Sequence, residues 1–144
     1  MNKSSPSSEY LVLSRGQWDH HATKEDIQAA IDRFYVWLDQ AVQAGKMKGG
    51  SRLTTARAVV SKSGVITDGP FNEAKEIVGG YWFIVAGSLA EAAAIATENP
   101  CLQYGLQLEI RPLEPERGSA YRITNETPTT PRAARSPSRR TAAR

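Results

Sequence analysis

Tyr81-Trp-Phe-Ile-Val85 is apolar at five consecutive positions, and no other run constrains the fold so tightly. In a strand successive side chains point to opposite faces. Trp82 and Ile84 then face one way, and Tyr81, Phe83 and Val85 the other. Both faces of such a strand need cover. Tyr10-Leu-Val-Leu-Ser14 is a second run with apolar residues on both faces. The last strand-like run alternates instead, with Leu106, Leu108 and Ile110 opposite Gln107, Glu109 and Arg111, before Pro112 and Pro115 stop it.

Two helices are predicted between these strands. Thr23-Lys-Glu-Asp26 opens the first as a capping box. Ile27, Ile31, Phe34, Leu38 and Val42 recur at helical spacing, and Gly45 ends the helix. Ser88-Leu-Ala-Glu91 is a second capping box, followed by an alanine-rich stretch closing at Asn99-Pro100. Between the helices, Met47–Leu53 carries Gly49-Gly50, and Ala56–Ser61 turns at Lys62-Ser63-Gly64 into Val65-Ile-Thr67 as a hairpin. The order β, long α, several β, short α, β predicts an α+β, ferredoxin-like antiparallel sheet with two helices on one face. Two helices cover one face only. The other face is expected to be closed by a second copy, sheet against sheet with a cavity between them, which makes a homodimeric α+β barrel. The competing cover is the irregular segment 14–22 or the tail.

Charge divides the chain. Residues 1–114 hold 11 Lys/Arg against 13 Asp/Glu, a net of −2, while residues 115–144 hold 7 Arg against 2 Glu, a net of +5. The folded domain is therefore mildly acidic, and nucleic acid is not its expected partner. From Thr127 to Arg144 there is no aromatic and no Val, Ile or Leu, so this stretch cannot offset its ordering entropy. The expected organisation is a flexible leader at 1–8, one domain at 9–114 and a basic, disordered tail at 115–144. No run approaches a membrane span, and the polar start lacks the apolar stretch of a secretory signal. A cytoplasmic location is expected. The single cysteine, Cys101, follows Asn99-Pro100 at a helix end and reads as a small buried residue.

At Thr67-Asp-Gly-Pro-Phe-Asn-Glu-Ala-Lys-Glu76, followed by Gly79-Gly80, the chain resembles the YCII-related proteins, specifically the subgroup named for its Asp-Gly-Pro-Phe segment. Thr67, Asp68, Gly69, Pro70, Phe71, Glu73, Lys75 and Glu76 meet every fixed position of that pattern. The resemblance spans about residues 9–113 and includes Gly49-Gly50 and the ending Leu108-Glu-Ile-Arg-Pro112. It implies a dimeric α+β barrel whose biochemical role is mostly unassigned. Relatives in the wider superfamily include small enzymes acting on aromatic or dicarbonyl compounds. A His–Asp pair in an interface cleft is the family's implied machinery. Here only Asp68 carries over, because no histidine stands between Asp32 and Phe34.

The residues support two readings of this segment. Asp68 before Gly69-Pro70 suits a turn in which the carboxylate bonds its own backbone. It equally suits a general base in an apolar cleft walled by Phe71 and Trp82. Glu73 and Lys75, with Glu76, suit either a rim for an anionic substrate or a solvated loop. His20 and His21 are the only histidines, and His20 is the candidate acid/base partner of Asp68. Their adjacency does not suit joint ligation, so no metal is expected, nor any other cofactor. The expected function is a small dimeric enzyme binding an aromatic or carbonyl compound, with Asp68 and His20 catalytic and Gly69, Pro70, Phe71, Glu73, Lys75 and Trp82 contacting substrate. The alternative is a non-catalytic ligand-binding or regulatory module whose basic tail contacts a partner.

Overall fold

Among the described residues, 6–66 and 77–129, the computed structural model runs β1 (Ser8–Arg15), α1 (Lys24–Gln43), β2 (Met47–Arg52), β3 (Val59–Ser61), β4 (Gly64–Ile66), β5 (Val78–Ala86), α2 (Leu89–Ala96), a 3-10 turn (Pro100–Tyr104) and β6 (Gln107–Pro112). All of these belong to one compact unit, Met1–Leu113, which is followed by a second, Glu114–Arg144.

The strands β2, β5, β1 and β6 form a four-stranded antiparallel sheet in that order. β1 and β2 therefore run parallel with β5 between them, and β5 and β6 run parallel with β1 between them. One helix bridges each pair. Crossovers of one hand place both helices on the same face. The fold is the expected ferredoxin-like α+β arrangement. Its sheet is open, and the single chain closes no barrel. β3 and β4 form a separate hairpin, shorter than the sequence suggests, paired from Val59↔Ile66 to Ser61↔Gly64.

Alternation along β5 sets the core. Trp82, Ile84 and Ala86 are buried beneath the helices with Tyr10, Val12, Met47, Ala92 and Ala96. Val12 and Ile84 are fully inaccessible to solvent. Each contributes about 1.5–3 kcal/mol through that burial. Phe34, Trp37, Leu38 and Ala41 of α1 pack on this layer.

Both predicted caps form. The Thr23 side chain accepts from the Asp26 N–H at 3.0 Å, and Ser88 Oγ accepts from the Glu91 N–H at 3.1 Å. At the end of α1, Lys46 N–H donates to Ala41 O and Gly45 N–H to Val42 O, the paired bonds of a left-handed glycine cap. One position of the expected α1 face is corrected. Val42 is 41% exposed, and Ala41 and Trp37 pack inward in its place. Over a helix of 20 residues the contact ridge drifts around the cylinder, so its last member falls three residues after Leu38 rather than four.

The opposite sheet face carries Leu11, Leu13, Tyr81, Phe83 and Val85, all half-buried. The ring centroids of Tyr81 and Phe83 lie 6.1 Å apart, nearly perpendicular. A Lys48–Glu9 ion pair rims one side, and Glu109 with Arg15 and Arg111 the other. Segment 14–22 does not cover this face. Gly16, Gln17, Trp18 and His20 lie on the helix side, and Asp19 N–H bonds Tyr104 O.

The second unit is described to residue 129 and is built of turns. Within it Arg122 pairs with Glu116 at 3.0 Å, and Tyr121 and Ile123 are almost fully exposed. Half of the tail expected to be disordered, residues 130–144, lies outside the described residues. Among the described residues no helix is long and apolar enough to cross a membrane.

Candidate functional site

The paired glycines of β2 open a cleft. Lys48 pairs with Phe83 and Ser51 with Tyr81, so Gly49 and Gly50 together oppose the single residue Trp82. This is a β-bulge, which bends the strand and breaks the ladder locally. Gly50 is required there, because a Cβ would sit 2.1 Å from the Tyr81 carbonyl oxygen. Between the end of β2 and α1 lies a cleft of about 1000 Å³.

Its floor and walls are aromatic. Trp82 comes from β5, Phe34 and Tyr35 from α1, and Trp18 from the loop after β1. Phe34 meets Trp82 edge-on, with ring centroids 5.1 Å apart. The loop that brings Trp18 and His20 is pinned from below. Asp19 N–H donates to Tyr104 O at 2.7 Å, and the Asp19 carboxylate packs against Gly105. Gly105 holds φ near +108°, which favours glycine, and a Cβ there would lie 2.4 Å from Asp19 Oδ1.

The cleft's polar groups are unevenly used. Gln28 Nε2 donates to Asp32 at 2.9 Å, and Asn99 Oδ1 accepts from the Cys101 N–H at 2.8 Å. The indole N–H of Trp82 is buried and finds no acceptor among the described residues. Arg52 stands at the mouth. Its Cα pairs with Gly80, which places it on the same sheet face as Trp82. Cys101 lines the cleft, and burial pushes its thiol pKa up against a smaller opposing effect of Arg33. It is therefore a neutral thiol near neutrality and a poor nucleophile. Among the described residues no group of three or more metal-ligating side chains assembles.

The structure redistributes the candidate residues. His20 lines the cleft, whereas His21 is exposed outside it. Trp82 lies on the helix-covered face, so it cannot wall a chamber between two sheets as the sequence suggested. The cleft it lines is formed within one chain. Asp68, Gly69, Pro70, Phe71, Glu73 and Lys75 lie outside the described residues. The first described residue after them, Ile77, accepts a hydrogen bond from Gly16 N–H, a residue of the cleft wall, at 3.0 Å. Arg52, Trp18, Tyr35 and Gln28 were not singled out by sequence. The signal that pointed toward them was the Gly49-Gly50 pair inside a strand.

Residues 9–114 match the family model described as the YCII-related domain. No curated protein matches the chain.

Proposed function

The chain belongs to the YCII-related family, and from that premise and the cleft we propose that it binds a small aromatic or carbonyl compound between α1 and the sheet. The carrying observation is an aromatic-walled space of about 1000 Å³ beside a buried indole N–H with no acceptor among the described residues. A buried donor without a partner costs about 1–3 kcal/mol, and a bound oxygen recovers that cost. The volume suits one small molecule.

In this reading Asp68, in the Asp-Gly-Pro-Phe subgroup segment, acts as general base or orienting carboxylate. Gly69, Pro70, Phe71, Glu73 and Lys75 are the proposed substrate contacts, and His20 is the acid/base partner. Replacing Asp68 with Asn separates the roles. Retained binding with lost turnover supports the base, whereas altered stability alone assigns Asp68 to the turn. A fluorescence screen of substituted benzenes and naphthalenes tests the cleft itself, and no response from any ring compound overturns the reading.

The half-buried apolar stripe Leu11, Leu13, Tyr81, Phe83 and Val85 supports a homodimer formed through the open sheet face. A lone 15.7 kDa species in sedimentation at micromolar concentration overturns it. The second reading, a non-catalytic regulatory module, draws on the net charge of +5 in residues 115–144. Deleting 117–144 tests it, because partner binding that survives the deletion with the same salt dependence makes the tail idle.

A further inference from the structure

We infer that the cleft reads an aromatic anion at two points, with Arg52 holding the acid group at the mouth and the Trp82 indole N–H receiving an acceptor oxygen at the floor. This deepens the proposed function and rests on its ligand-binding cleft.

The first support is the sign of the charge. Among the described lining residues there is one arginine and one histidine, and no aspartate or glutamate. Asp32 stands close by on α1, but its Oδ1 accepts from Gln28. Arg52 has no ion pair among the described residues. Its guanidinium is a planar fork of donors matched to a carboxylate. At the mouth, Arg52 therefore offers an uncommitted fork of donors to an acid group on the ligand.

The second support is the buried donor. Trp82 is 5% exposed, lines the cleft, and leaves its Nε1–H without an acceptor. An indole nitrogen donates and never accepts. A group at that end of the ligand must therefore be an acceptor, and in the proposed class it is an oxygen, such as a carbonyl, phenol or ether. Reaching it takes a rotamer change in the cleft wall, of a kind common on binding.

The third support is spacing. Arg52 pairs with Gly80, and Trp82 lies two residues further along β5. The backbone positions that carry the two anchors are thus offset by about 7 Å along the strand and about 5 Å across the ladder. One or two fused six-membered rings bridge such an offset, carrying an acid group at one end and an oxygen at the other. Phe34 and Trp18 offer faces and edges for the ring system. The ligand class is a hydroxy- or oxo-substituted aromatic carboxylate.

A matched pair of probes tests this on the full chain, namely 6-hydroxy-2-naphthoate and its neutral amide, 6-hydroxy-2-naphthamide. The acid is expected to bind at least about tenfold tighter than the amide at low salt, the ratio one charge-assisted bond supplies. Arg52→Gln should bring the two affinities together while leaving that of the amide unchanged. Arg52→Lys should retain part of the preference. In a ¹H–¹⁵N spectrum the Trp82 indole resonance, assigned with Trp82→Phe, should move on adding 6-hydroxy-2-naphthoate and stay in place with 2-naphthoate, which lacks the oxygen. Equal binding of acid and amide overturns the anion inference while the aromatic cleft stands. An indole resonance that ignores both acids overturns the two-point reading. Failure of every naphthalene probe to bind overturns the cleft reading as well.

Discussion

Among the described residues, two of the hollows in the unit Met1–Leu113 differ in what their polar groups do. One, of about 830 Å³, sits where α1 ends and α2 begins, lined by Trp37, Lys46, Ser88, Glu91 and Glu98. Apart from the Lys46 ammonium, its side-chain groups named here are spent on the chain itself. Trp37 Nε1–H donates to Glu98 at 3.4 Å, Gly87 N–H donates to Glu91 Oε1 at 2.6 Å, and Ser88 caps α2. The other, of about 1000 Å³, sits at the bulge of β2, where the Trp82 indole N–H has no acceptor and Arg52 no counter-ion among the described residues. The first hollow is what remains where a helix cap, a turn and a strand end meet. The second keeps donors unspent, and an unspent buried donor is costly unless something binds it. That difference is why the proposed ligand site is the second hollow and not the first.

The comparison breaks most readily at the bulge. Gly50→Val should destabilise the unit by about 3 kcal/mol, because its Cβ would overlap the Tyr81 carbonyl and the crowding must be relieved by backbone shifts. Urea denaturation measures this, and an unchanged midpoint would mean that the bulge is not needed. On the open sheet face, Phe83→Asp should weaken self-association by about a hundredfold, roughly 3 kcal/mol, with the far-UV spectrum unchanged. Sedimentation equilibrium provides the readout, and an unaltered dimer would place the interface elsewhere. At the first hollow, Ser88→Ala should cost about 1 kcal/mol by leaving the Glu91 N–H uncapped, without altering naphthoate binding. Trp37→Phe should cost about 0.5 kcal/mol in hydrogen bonding, since the bond to Glu98 is long and exposed. A change in probe affinity from either of these two variants would show that the two hollows are coupled.

The smallest effect is a pH dependence. Burial holds the Cys101 thiol pKa above its ordinary value in the folded chain. As pH rises through the ordinary thiol range, the unfolded chain loses this proton first and is stabilised relative to the folded one. The associated stability is complete below that range and is lost progressively up to the folded pKa. Cys101→Ala should flatten the alkaline slope of unfolding free energy, measured by denaturation from neutral to alkaline pH. An identical slope in both proteins would mean that the thiol is not the titrating group.

How far the site was legible follows residue by residue. The Ser88 cap and the Thr23 cap are local, set by a hydroxyl three residues from the N–H it receives, and the sequence spacing suffices to find them. The face of β5 is also local, because alternation fixes which residues share a side. Which side each helix would take is not local. Trp82 was rightly separated from Tyr81 and Phe83 by alternation, yet its placement under the helices rather than against a partner sheet follows from both crossovers landing on one face. Arg52 gave no signal of its own beyond the neighbouring Gly49-Gly50 pair. It enters the cleft through a register that depends on two glycines opposing one residue, and a bulge reverses the side on which the following residues fall.

Periodicity, capping chemistry and glycine placement in these 144 residues determined the elements, the ferredoxin-like α+β class and the two apolar faces of β5. Those properties depend on neighbours within a few positions along the chain. The tertiary structure alone decided that Trp18, Phe34, Arg52 and Trp82 share one space and that the Trp82 donor is left without an acceptor. That outcome depends on a strand register and a common side for two helices, and these exist only once segments distant in sequence have packed.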